Sequence, residues 1–347
     1  MSDAPLETLL RPFELGLLEW PSSATRVLFL RARDGWALQR FREAALTVTQ
    51  PFKPEALRLE ASGFAVVSEE EALSSSYDVV FVLPPRSREE ARALLAKASR
   101  ALSSEGRIVA CVSNNEGAKS AQSDLSALMG DVASDTKNKC RVFWSAPLSR
   151  ANVDASLQSA WLKLDAVRAQ KGSGLLTQPG IFSWEHIDPA SQLLVDHMPS
   201  NIIGDVADLG AGIGYLGAEL LKRNNGVRSL DSYEAQEQAL KLAEKNLADI
   251  SPNVPKTFHW HDVTQGLNKQ YDFIISNPPF HAISRDGRPD VGQEFIRIAA
   301  KHLKRDGALM IVANRHLPYE QVLGAEFANV SVLGEGKGFK VILAKRE

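Results

Sequence analysis

"DVADLGAGIGYLGAELLK", Asp205 to Lys222, runs from a short apolar stretch through three glycines into a segment of helical spacing. Val206, Ala207 and Leu209 mark that stretch as a short buried strand. Gly210, Gly212 and Gly214 let the chain turn tightly and let a ligand approach bare backbone. The same unit of strand, turn and helix recurs along the chain. Strand-like runs such as "TRVLFLRA", "YDVVFVLPP", "GRIVACVS", "YDFIISNPP" and "GALMIVAN" alternate with helix-period stretches at Glu89 to Leu102, Glu237 to Leu247 and Gln293 to Leu303. Alternation of this kind predicts an α/β fold, a mostly parallel sheet with helices on both faces.

The 347 residues exceed one ordinary core and suggest two domains. Hydrophobic residues at 44% and charged residues at 24% are normal for a globular chain, and no apolar run approaches the roughly 20 residues of a membrane helix. The start, "MSDAPLETLL", lacks the basic and apolar regions of a secretion signal, so a cytoplasmic location is expected. The two cysteines, Cys111 and Cys140, form no CxxC pair and read as buried, inert thiols. A net charge of −2 argues against coating nucleic acid by bulk electrostatics but leaves room for a locally basic site.

The two halves also align with each other. "DVVFVLPPR" from Asp78 lies over "DFIISNPPF" from Asp272, "ALSSEGRIVACVS" from Ala101 over "HLKRDGALMIVAN" from His302, and "RVLFLRARDG" from Arg26 over "DVADLGAGIG" from Asp205. Three matches in one order predict a duplicated domain. The stretch "AVRAQKGSGLLTQPGIFS", Ala166 to Ser183, is rich in turn-forming residues. The expected division is residues 1–150, a linker at 151–175, and 176–347.

Gly212 to Gly217 satisfy GxGxxG, which alone is weak support for a dinucleotide site. Asp208 pulls the other way, because a carboxylate there suits an ammonium better than a pyrophosphate. The next strand, "GVRSLDSYEA", ends at Glu234, placed to accept ribose hydroxyls, with Asp231 as the alternative. The third, "KTFHWHDV", ends at Asp262, placed to accept from an amine such as that of adenine, with Val263 beside it. Taken together these strand ends resemble the class I S-adenosylmethionine-dependent methyltransferases, in which the corresponding positions hold the methionine, ribose and adenine parts of the cofactor.

The fourth strand ends in "SNPPFH". The amine of a nucleobase is a poor nucleophile because its lone pair is delocalised into the ring. The Asn277 side-chain oxygen and the Pro278 carbonyl can each accept one amine hydrogen and leave the lone pair facing an activated methyl. Pro278 and Pro279 restrict the backbone, so the acceptors are rigid before substrate arrives. Phe280 offers a ring on which a base can stack. The segment resembles the (N/D)PP(Y/F) motif of methyltransferases acting on amino groups of adenine, guanine, cytosine or a glutamine side chain.

Further stretches narrow the resemblance: "FSWEHIDPASQLLVDHMP", "DLGAGIGYLG", "YDFIISNPPFH", "AAKHLKRDGALMIVANRHLPYEQVL" and "GKGFKVILAKR". They are similar to the two-domain bacterial ribosomal RNA guanine-N2 methyltransferases, above all the 16S rRNA small-subunit methyltransferase C family and its large-subunit relative. That resemblance implies two tandem Rossmann-like domains with seven-stranded sheets, a catalytic second copy, and a degenerate first copy used for RNA binding or stability. The first copy fits: Phe29 stands at the place of Asp208, Arg31 and Arg33 at those of Gly210 and Gly212, and Leu83 at that of Asn277. One S-adenosylmethionine per chain is expected.

For the expected partner, ribosomal RNA or a ribosomal subunit, the candidate contacts are His281, Arg285, Arg288 and Arg315. Arg297, Lys301 and Lys304 read as a solvated helical face. Phe182 and Asp188 are expected along the cofactor pocket. His259 and His261 share a strand face without a third ligand, so no metal is expected. The chain is expected to act as a monomer. Rival readings are the same chemistry on 23S rRNA, DNA adenine or a protein glutamine, an inactive ribosome-assembly protein, and a dehydrogenase for which NPPF would have no use.

Overall fold

The computed structural model describes residues 3–41, 44–279, 291–316 and 319–347. It divides into two units, residues 1–166 with 178–180 and residues 167–177 with 181–347. The first holds β1 (Arg26–Leu30), β2 (Ala45–Thr49), β3 (Val66–Val67), β4 (Tyr77–Val82), β5 (Leu102–Ser113), β6 (Val132–Lys137) and β7 (Cys140–Ser145), in the spatial order β3-β2-β1-β4-β5-β7-β6. A short hairpin follows, β8 (Arg168–Ala169) with β9 (Leu176–Thr177). The second unit holds β10 (Ile203–Leu209), β11 (Gly226–Glu234), β12 (Lys256–Trp260), β13 (Tyr271–Ser276), β14 (Leu303–Asn314), β15 (Asn329–Gly336) and β16 (Phe339–Lys345), ordered β12-β11-β10-β13-β14-β16-β15. In both sheets the pairing is parallel except at the last two strands of the order, which run antiparallel.

The continuous apolar runs follow from having a core on each face. Along β1, Val27 and Phe29 enter one cluster while Leu28 and Leu30 enter the other. Along β10, Ala207 and Leu209 pack on one side and Val206 on the opposite side. The helix Val291–His302 buries Phe295, Ile296, Ile298 and Ala299 at helical spacing against the first of these faces. Truncating a residue so placed, such as Ile296 to Ala, should cost about 3 kcal/mol.

Duplication is visible down to single hydrogen bonds. The burial sequences of β4 and β13 are identical, as are those of β5 and β14. Asp78 accepts the Arg26 amide at 2.9 Å, and its counterpart Asp272 accepts the Asp205 amide at 2.7 Å. Each carboxylate fastens the start of the neighbouring strand.

Some local expectations need adjustment. Residues 151–175 include the helix Ala155–Trp161, and Trp161 is buried in the first unit's core. Lys304 lies on β14, because the preceding helix stops at His302, and it pairs with Asp205 at 2.7 Å and Asp272 at 2.9 Å. It is therefore a structural cation rather than part of a solvated helical face. Arg297 does lie on the helix, paired with Glu294 one turn away at 3.1 Å. Cys111 and Cys140 are both buried and unbridged. Among the described residues no helix is long and apolar enough to cross a membrane.

Candidate active site

The strand order of the second unit changes direction at β10, which has β11 on one side and β13 on the other. The carboxyl ends of β10 and β13 therefore open a crevice, the usual ligand position in such sheets. Leu209 and Ser276, the last residues of these strands, are paired in register, and the Ser276 hydroxyl donates to the Leu209 carbonyl at 2.7 Å. The mouth of the crevice is thus held at a set width.

Asp208 lies on its floor, fully buried. Its Oδ2 accepts the Gly217 amide at 3.1 Å, while Oδ1 has no partner among the described residues. Burial, reinforced by the charge of Glu234, pushes the Asp208 carboxyl up to about 7. A buried carboxyl with one oxygen unanswered is completed by a proton in the free protein or by a cation once one binds. Above it, Gly210 adopts φ +74° and donates to the Tyr233 carbonyl at 2.9 Å. Gly212 adopts φ +56°, and a Cβ there would meet nothing within 4 Å, so its face opens into free space. Gly214 then begins the helix Tyr215–Arg223.

Glu234, at the end of β11, does more than the sequence suggested. Its Oε2 accepts the Gly212 amide at 2.8 Å and its Oε1 the Gln236 amide at 2.7 Å, so it pins the glycine loop and the next helix start. Burial pushes its carboxyl up, against the pull of these amides. Each oxygen keeps a second lone pair for a hydroxyl. Asp231, the alternative, is excluded from this role: it is 3% exposed, three residues before the strand end, and engaged with His259 at 3.3 Å and Lys269 at 2.7 Å. Asp262 caps the turn Val263–Gln265, accepting from the Thr264 amide at 3.0 Å and hydroxyl at 2.7 Å through one oxygen. The Val263 side chain is core, and its carbonyl accepts the Gly266 amide at 3.0 Å.

Asn277 follows β13 directly, and its carbonyl oxygen faces Gly210. Its Nδ2 donates to Asp188 Oδ2 at 2.9 Å and to Ser191 Oγ at 2.7 Å, and its Oδ1 has no partner among the described residues. Asp188 Oδ2 also accepts the Ser191 amide at 2.8 Å, capping the helix Pro189–Asp196. Asp188 therefore also serves Asn277, a contact that the expectation of a pocket-lining residue did not include. Phe182 is 68% exposed. The loop between them is held by Gln170, whose amide donates to the Ser183 carbonyl at 2.7 Å and the His186 carbonyl at 3.1 Å.

Several contributors escaped the sequence reading. Ser191 is one, although an Asp followed by Pro is a legible helix start that would have marked its neighbourhood. Asn246 is another: it brackets Leu176 through both its amide and its carbonyl, at 2.7 and 2.9 Å, and donates to the Ile213 carbonyl within the glycine loop at 2.9 Å. No local pattern marks it, because its partners are distant in sequence.

Of the other candidates, Arg315 follows β14 and pairs with Glu335 at 3.1 Å, both side chains being exposed. Such a pair is weak enough to exchange for a phosphate. Phe280, His281, Arg285 and Arg288 lie outside the described residues. His259 stacks on Tyr233 with ring centroids 4.4 Å apart, and His261 engages the Gly266 carbonyl at 2.7 Å, so both serve the framework.

The first unit differs at each corresponding place. Arg31 takes the left-handed conformation of Gly210, at φ +56°, and its guanidinium pairs with Glu90. Burial raises the Glu90 carboxyl, and Arg31 opposes the rise. Phe29 packs edge-on to Phe81 at 5.6 Å, and Leu83 is buried beside them. Apolar side chains and an ion pair thus replace both acidic and amide groups of the second unit.

Residues 172–343 match the family described as Methyltransferase small domain. A protein of Shewanella sp. (strain MR-4) named ribosomal RNA small subunit methyltransferase C is 31% identical over 269 residues, spanning 76% of this chain and 76% of its own. Its namesake from Psychromonas ingrahamii is 29% identical over 270 residues, spanning 77% and 76%. Among solved structures, a T. thermophilus 16S rRNA N2 methyltransferase in complex with AdoMet and guanosine aligns at a TM-score of 0.80 and 23% identity, covering 99% of this chain and 92% of that one. This last likeness concerns the fold.

Proposed function

The chain belongs to the ribosomal RNA small subunit methyltransferase C family, and we propose that its second unit transfers the methyl of S-adenosylmethionine to the exocyclic N2 amine of a guanine in 16S rRNA. The observation that carries this reading is the side-chain oxygen of Asn277, directly after β13, which is buried and has no partner among the described residues while its amide nitrogen is already engaged. The residues present fit the cofactor. The unanswered Asp208 oxygen suits its ammonium, the open face of Gly212 its close approach, Glu234 its ribose, and Asp262 with Val263 its adenine. When bound, the cofactor supplies a methyl group on a sulfonium, already activated for attack.

The remaining work falls to the chain itself. Asn277 Oδ1 and the Pro278 carbonyl accept the two hydrogens of the amine and hold its nitrogen out of conjugation, while Pro279 keeps the loop stiff. No general base is required, since the methylated nitrogen is cationic and releases its proton to water. Phe280 stacks on the base in this reading, and His281, Arg285, Arg288 and Arg315 meet the surrounding RNA, with the first unit as a further RNA-holding or stabilising part. The enzyme is read as a cytoplasmic monomer, which light scattering on the purified protein would check.

The deciding experiment offers labelled S-adenosylmethionine with naked rRNA, 30S particles and 50S particles, followed by identification of the modified nucleoside. Label in N2-methylguanosine from the small subunit supports the proposal. Label confined to 50S, DNA or protein overturns it. In the same assay Asn277→Ala should lose about a hundredfold or more in kcat, as expected on removing a preorganised transition-state contact, with cofactor affinity nearly unchanged.

A further inference from the structure

An amide side chain is nearly symmetric in shape, and the half-turn that exchanges its oxygen and nitrogen costs little unless neighbours distinguish the two. For Asn277 the distinction is chemical. Only its oxygen can accept a hydrogen from a substrate amine; the flipped side chain would oppose donor to donor. Asp188 lies 2.9 Å from Nδ2 and, as a carboxylate, accepts only. Ser191 Oγ lies 2.7 Å from the same nitrogen. With Oδ1 turned toward Asp188, a carbonyl and a carboxylate oxygen would face each other as two acceptors in a part-buried setting, and Nδ2 would lose both of its acceptors. Asp188 is itself held, because the oxygen that faces Asn277 also caps the helix Pro189–Asp196 through the Ser191 amide at 2.8 Å. That helix is tied to the one opening at the glycine loop by Tyr215, whose hydroxyl donates to Gln192 at 2.9 Å.

We propose that Asp188, assisted by Ser191, is a positioning residue that holds the Asn277 amide with its oxygen toward the substrate amine. The inference rests on the amine-methylation reading above and adds a residue that touches neither reacting atom. A charged acceptor also polarises the amide and makes Oδ1 a better acceptor.

The full-length protein tests it through four variants. Asp188→Ser keeps a good helix cap but is too short to serve Asn277; kcat should fall at least tenfold while the cofactor dissociation constant stays within threefold. Ser191→Ala should lower kcat a few-fold. Asn277→Asp places two carboxylates together and should be nearly inactive, and adding Asp188→Asn, which restores a donor facing an acceptor, should recover at least tenfold over that single variant. A merely structural role would instead raise KM and the cofactor dissociation constant together and would show no rescue. The second readout is the Asn277 side-chain amide signal in nitrogen-15 NMR, expected to be protected from hydrogen exchange and to lose that protection more than tenfold in Asp188→Ser. Activity within twofold in Asp188→Ser, or absence of rescue, overturns the inference. If the unaltered protein methylates no amine, the functional reading fails, and the NMR signal alone decides the positioning: unchanged protection in Asp188→Ser refutes it.

Discussion

At the scale of single residues, the site depends on groups kept in states that water would not favour. Burial raises the pKa of the Asp208 carboxyl to about 7, far above its ordinary 3.8. The free protein therefore carries Asp208 largely protonated below that pH, whereas a cationic ligand favours the carboxylate. Cofactor affinity measured by calorimetry should fall about tenfold per pH unit below 7 and level off above it. The effect on folding has the opposite sense. The raised value means the folded chain binds the proton more tightly, so this contribution to stability is present in acid and lost as pH rises from 3.8 to about 7. Asp208→Asn should accordingly abolish cofactor binding yet raise Tm by several degrees at pH 8, with a smaller gain near pH 5. A loss of Tm at pH 8 would show that the buried charge is answered in the native state.

Among elements, the glycine loop is a composite, held by parts that lie far apart in the chain. Its left-handed glycines allow the bend, but Glu234 fixes the Gly212 amide and Asn246 fixes the Ile213 carbonyl together with β9. Asn246→Ala removes three hydrogen bonds without touching the expected ligand surface. Each is worth about 1 kcal/mol, so a loss of about 2–3 kcal/mol in stability and a several-fold weaker cofactor affinity should follow, checked by denaturant melts and calorimetry. Unaltered affinity would mean that Glu234 and the Tyr233 carbonyl set the loop without Asn246. The same logic holds at β13, where the prolines stiffen the Asn277 backbone while its side chain is governed from the helix Pro189–Asp196.

For the whole molecule, two copies of one architecture have been given different fates. The first retains the strand order, burial patterns and even the carboxylate that fastens β1, yet fills the counterpart of the glycine loop with the Arg31 and Glu90 pair. Calorimetry should find one cofactor per chain, and two equivalent sites would refute the division. Arg31→Ala should not open a second site, because Phe29 and Leu83 still stand where the acidic and amide groups would be needed. It should instead leave Glu90 poorly answered and destabilise the protein by about 3 kcal/mol, measured by chemical denaturation.

The sequence by itself determined the fold, the duplication and the residues at the strand ends. These rest on local signals: apolar runs of strand length, glycines where backbone must bend, and prolines where it must stiffen. Asp208, Gly210, Glu234, Asp262 and Asn277 were legible for that reason, since topology carries any residue at a parallel strand's end to one edge. The tertiary structure alone decided what each of them touches. It gave Asp188 the Asn277 amide as a partner, moved Lys304 into a structural ion pair, set Asp231 aside, and brought in Ser191 and Asn246. Those roles depend on hydrogen bonds across 28 to 99 positions of chain, and no periodicity or motif encodes a contact at that range.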